Sequence, residues 1–73
     1  MEFENANFGT CKLLLCDYKK GACLIEIEDK NRTMPFVVTT RILKDGTWAK
    51  AEYYSTIEKA RENYISMISE GNG

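Results

Sequence analysis

Apolar and polar residues alternate with the two-residue period of β-strands through residues 11–28 and 36–54, then switch to the 3.6-residue period of a helix. Residues 11–18 and 22–28 read as two strands. Lys19-Lys20-Gly21 joins them, with the glycine at the left-handed position of a three-residue hairpin loop. This register sets Leu13 against Ile27, Leu15 against Ile25, and Lys12 against Glu28 as a cross-strand ion pair. Residues 29–33 are polar and read as a loop, and Pro35 stiffens the entry to a third strand. Asp45-Gly46 then reads as a two-residue hairpin turn inside 36–54. Pairing outward sets Leu43 opposite Trp48, Arg41 opposite Lys50 and Val37 opposite Tyr54. Val38, Ile42, Ala49, Ala51 and Tyr53 fall on the other face.

Ser55 and Glu58 fit a capping box, with Ser55 as N-cap. Ile57, Ala60, Tyr64, Met67 and Ile68 share one narrow sector of the following helix, and Gly71 reads as its stop. The expected fold is α+β: a four-stranded antiparallel meander with one C-terminal amphipathic helix packed on one sheet face. Residues 1–73 make one domain, with 1–8 as a flexible N-terminal arm, 9–54 as the sheet and 55–70 as the helix. Ala49 and Ala51 would seat the helix, with Leu13, Ile25, Val38 and Tyr53 around them.

One helix covers one face. The other face would then expose Leu14, Leu24, Val37, Leu43, Trp48 and Tyr54 among charged neighbours, enough apolar surface to mark an interaction site. Trp, Tyr and Arg dominate binding energy at interfaces. The interaction residues expected here are Trp48, Tyr54, Arg41, Leu43 and Lys50, with Leu24 at the far side. The occupant is a protein partner, a second copy in a homodimer, or the chain's own arm folding back through Phe3 and Phe8.

Composition narrows the functions. The apolar share of 44% and charged share of 29% are those of a soluble globular domain. Ten basic against eleven acidic residues give a net charge of −1. That balance argues against nucleic acid, because the basic pairs Lys19-Lys20 and Arg41/Lys44 are short and far apart in sequence, and leaves an RNA- or DNA-binding sheet that stacks bases on Phe36, Trp48 and Tyr54 as an alternative. The first residues carry no signal-peptide pattern and no run is long enough to span a membrane, so a cytoplasmic location is expected. Cys11, Cys16 and Cys23 match no zinc spacing and read as small buried hydrophobes; no metal or cofactor is expected. There is no histidine and no nucleophile or phosphate-loop motif, so an enzyme is not expected. Arg41, Lys50 and Trp48 would also suit a planar anionic ligand such as a nucleotide, held between subunits.

The size, the acidic composition and the stretch Phe36-Val37-Val38 … Asp45-Gly46-Thr47-Trp48 … Tyr53-Tyr54 … Ala60 resemble small single-domain accessory proteins of phages and other bacterial mobile elements. The resemblance covers about half of the chain. It implies a non-catalytic inhibitor that occupies a surface of a host defence protein, in the manner of anti-CRISPR proteins, or one that sequesters a signalling nucleotide. It assigns no site residue.

Overall fold

The computed structural model describes residues 1–70. Five strands precede one helix: β1 (Glu2–Asn5), β2 (Gly9–Asp17), β3 (Ala22–Ile27), β4 (Phe36–Thr39), β5 (Ala51–Tyr54) and α1 (Ile57–Glu70). All neighbours are antiparallel, and the order in the sheet follows the order in the chain. The meander and its C-terminal helix are as the periodicity predicts, with one strand more.

The extra strand comes from the segment expected to be a loose arm. Phe3 pairs with Cys11 and Asn5 with Gly9. Asn5 builds the connecting turn: its Oδ1 accepts the amide N–H of Asn7 at 2.7 Å and of Phe8 at 2.9 Å. Its Nδ2 donates to the Gly46 carbonyl at 2.7 Å. β1 forms one edge of the sheet, whereas Gly46 lies between β4 and β5 at the other. This bond therefore shows that the 40–50 connection folds across a whole sheet face.

That connection uses a different turn from the expected one. Trp48 bridges Ile42, not Leu43, and the Leu43 N–H donates to the Thr47 carbonyl at 2.7 Å. The loop has three residues, Lys44-Asp45-Gly46, with Gly46 at φ +83° as the left-handed bulge residue. Asp45 Oδ1 caps it by accepting the Thr47 N–H at 3.0 Å. A one-residue slip exchanges the two faces of a strand. Accordingly Val38 pairs with Glu52, and Val37 with Tyr53.

The first hairpin is corrected in the same way. Leu13 pairs with Ile25 and Cys11 with Ile27; a bulge at Leu14 then shifts the register, setting Leu15 against Leu24 and Cys16 against Cys23. Its loop has four residues, 18–21, closed by the Gly21 N–H donating to the Asp17 carbonyl at 2.7 Å. Lys12 still reaches Glu28 at 3.9 Å, diagonally across the strands.

Two cores result. Ala22, Leu24, Val38, Phe36 and Tyr54 meet Ala60, Tyr64 and Met67 of the helix. On the other face, Cys11, Ile25, Ile27 and Val37 are covered by Phe3, Phe8, Ile42 and Trp48. Ala51 and Tyr53 belong to this second core and Ala49 is exposed, so neither alanine seats the helix. The helix cap also moves by one residue. Thr56 Oγ1 accepts the Lys59 N–H at 3.2 Å, and Lys59 at the third helical position rules out the Ser55–Glu58 capping box. Gly71 lies outside the described residues.

Candidate functional site

In a meander, alternate turns fall at the same end of the sheet. The β2–β3 turn and the 40–43 segment after β4 therefore meet, and a methyl added to Gly21 would touch the Thr40 carbonyl at 2.9 Å. Between them lies an open cleft of about 480 Å³. Leu13, Ile42, Cys16 and Cys23 line its floor. Tyr18, Lys19, Lys20 and Arg41 form its rim.

Local hydrogen bonds set that rim. Asp17 Oδ1 accepts the N–H groups of Lys19 and Lys20, both at 3.0 Å, which fixes the tight turn carrying Tyr18. Tyr18 is 85% exposed, more than any other large apolar or aromatic residue described. Across the cleft, Thr39 is fully buried, and its Oγ1 donates to the Lys50 carbonyl at 2.6 Å. The same oxygen accepts the Arg41 N–H at 3.4 Å. One hydroxyl thus ties together the two backbones that leave the sheet at this end.

The six expected interaction residues do not share a surface. Arg41 is exposed on the cleft rim, and Leu43 is 41% exposed beyond it. Lys50 is exposed beside Met67 in a separate hollow near the helix. Tyr54 packs in the helix-side core, where burial and then Glu52 push its hydroxyl pKa up. Leu24 lies beneath the helix at 1% exposure, out of reach of a partner on the sheet. Trp48 stacks on Phe8 at 5.5 Å between ring centroids and 13° between planes, and its Nε1 donates to the Tyr53 hydroxyl at 2.9 Å. Arg32 closes the stack from the other side, 4.5 Å above the Phe8 ring. The face expected to be open is therefore covered by the chain itself.

The residues that sequence reasoning missed are Tyr18, Lys19 and Lys20. Topology carried the signal: the two basic pairs sit on turns that a four- or five-stranded meander places at one end. Among the described residues no group of three or more metal-binding side chains converges. No described helix is long and apolar enough to cross a membrane. Comparison with known protein families, with curated proteins and with solved structures finds no match.

Proposed function

We infer that this protein is a non-catalytic binding module that captures an acidic segment of a partner protein in the cleft between the β2–β3 turn and residues 40–43. The observation that carries this reading is the convergence of Lys19, Lys20 and Arg41 around an apolar floor, beside the exposed Tyr18 ring. The whole chain carries a net charge of −1, so this concentration of positive charge is local. Charge of one sign around a concave surface steers and selects a partner of the other sign. Tyr and Arg are also frequent anchors of interface energy. A role as a phage or mobile-element inhibitor of a host defence protein is supported by the sequence resemblance alone.

The test uses a fluorescein-labelled peptide that alternates glutamate with leucine and phenylalanine, and a control peptide with glutamine for glutamate. The acidic peptide is expected to bind in fluorescence anisotropy, more weakly as salt rises. Arg41→Glu is expected to weaken it by roughly tenfold or more, the range of close charge pairs at interfaces. Equal binding of both peptides, or no effect of Arg41→Glu, overturns the reading.

A second reading has its own observation: a volume of about 480 Å³ lies in the range of small-ligand pockets. Lys19 and Arg41 would then hold the phosphates of a nucleotide. A thermal-shift panel of mono-, di- and cyclic nucleotides separates the two, because a ligand bound only by the native state raises the Tm. A homodimer is left with the sheet edges, β1 and β5, since the covered face offers no patch. Light scattering across concentration tests it.

A further inference from the structure

Cys16 and Cys23 are direct partners across β2 and β3, and their Sγ atoms lie 3.0 Å apart. Directly opposed residues of an antiparallel pair have Cα atoms about 4.5–5.5 Å apart, inside the range that a disulfide spans. Closing the bond to about 2.05 Å asks for a sulfur movement of about 1 Å, with no change of register. The two thiols differ in access. Cys16 is half-buried and lines the cleft floor, whereas Cys23 is 5% exposed. The cleft that leads to Cys16 is rimmed by Lys19, Lys20 and Arg41, which suits an anionic reagent.

The geometry points to Cys16 and Cys23 as an oxidisable dithiol that closes to an intramolecular disulfide, with an anionic low-molecular-weight disulfide such as glutathione disulfide as the oxidant. This inference does not depend on the acidic-segment reading. Cys16 is the attacking sulfur. Its thiolate bonds to one sulfur of glutathione disulfide, whose S–S bond breaks and releases one glutathione thiolate. Cys23 then gives its proton to that thiolate and attacks Cys16 Sγ. The bond between Cys16 and glutathione breaks, and the second glutathione leaves as thiolate and takes a proton from water. Two electrons pass from the protein to the small disulfide, and two thiols of glutathione result. Cys23 suits the resolving role. Burial first, then the hydrogen bond and charge of Cys16, push its thiol up to about 12, so it holds its proton until the mixed disulfide forms beside it. Cys11 stands apart: it is fully buried, with burial as the main cause of its raised pKa, and its Sγ donates to the Gly9 carbonyl at 3.6 Å.

The experiment incubates the full chain with graded ratios of reduced and oxidised glutathione, quenches in acid, and reads intact mass and a peptide map without reduction. The wild type is expected to lose two hydrogens, with Cys16 and Cys23 cross-linked, Cys11 free and little glutathione adduct. Cys23→Ser is expected to hold a single glutathione on Cys16, at a level roughly tenfold or more above the wild type, because the resolving thiol is gone. Circular dichroism checks that this variant is folded. If it is not, the wild-type map alone decides. A wild type that stays fully reduced at every ratio, keeps a stable glutathione adduct, or cross-links through Cys11 overturns the inference.

Discussion

Phe8→Ala tests the covering of the second sheet face most directly. Phe8 is half-buried, stacked on Trp48 at 5.5 Å, set edge-on to Tyr53 at 6.2 Å, and capped by Arg32. Removing about half of a Phe side chain's buried area, on the order of 90 Å² at 25 cal/mol per Å², costs about 2 kcal/mol. The lost stack adds about 0.5–1.5 kcal/mol beyond area. The half-exposed Arg32 contact adds about 0.5 kcal/mol more. The total is about 3–4 kcal/mol. A chain of 73 residues at roughly 0.05–0.15 kcal/mol per residue has only about 4–11 kcal/mol of stability. At about 4–8 °C per kcal/mol for a domain of this size, the Tm is expected to fall by roughly 12–32 °C. Trp48 is the single tryptophan, so its fluorescence reports on this site alone. Its emission is expected to shift to the red in folded Phe8→Ala as water reaches the indole. Urea unfolding followed by circular dichroism gives the stability change. A loss under about 0.5 kcal/mol, the range of ordinary surface substitutions, together with unchanged Trp48 emission, refutes the covered face.

Four further outcomes follow from the same geometry. Gly46→Ala is expected to lose about 1–2 kcal/mol from the left-handed backbone alone, and more because its methyl collides with the Glu4 carbonyl; urea unfolding reads it, and a neutral result excludes the three-residue loop. Leu24→Ala empties space under the helix and is expected to cost about 2–5 kcal/mol, whereas the exposed Arg41→Ala stays within about 0.5 kcal/mol in the same melts. Glu28 has a folded pKa raised from 4.5, by partial desolvation first and then by Glu2. Its ionisation therefore takes stability away as pH rises through the carboxylate range, and Glu28→Gln is expected to flatten that fall in urea midpoints between about pH 4 and 6. Asp45 has the opposite sign: the Thr47 hydroxyl and amide hold its carboxyl below 3.8, so its contribution is present above that value and lost below it, and Asp45→Asn is expected to remove that acid-side loss.

Element type was legible in this chain and register was not. Alternation located β2 to β5, and the sector of Ile57, Ala60, Tyr64 and Met67 located the helix, because both depend on local periodicity. β1 was hidden because Glu-Phe-Glu-Asn has little strand propensity; it is held by backbone pairing to β2 and by the buried Asn5 amide. The Asp45-Gly46 pair was a sound hairpin signal with two solutions. A two-residue turn and a three-residue loop with a bulged glycine use the same dipeptide. The contact of Gly46 with Glu4 and Asn5, about forty positions away, accompanies the second solution. No local rule contains that contact, yet the loop register determines which of Tyr53 and Tyr54 shares the helix face with Val38.

Register also decides the chemistry of the first hairpin. The positions 16 and 23 differ by an odd number, and an unbulged pairing that matches Leu13 with either Ile25 or Ile27 puts Cys16 opposite Ala22 or Leu24. In both cases Cys23 falls on the opposite face from Cys16. Only a one-residue shift brings the thiols together, and the bulge at Leu14 supplies it. The bulge thus accounts for two observations at once: Leu14 and Leu15 stand 37% and 44% exposed on the strand, and the two sulfurs sit 3.0 Å apart in the cleft floor. Deleting Leu14 removes the bulged residue itself and leaves Leu13 opposite Ile25 and Cys16 opposite Cys23 in an unbulged ladder. The thiols stay on one face, so oxidation by glutathione disulfide is expected to cross-link Cys16 to Cys23 in this variant as in the wild type. A glutathione adduct on Cys16 with no cross-link to Cys23 would show that the thiols do not pair in this register.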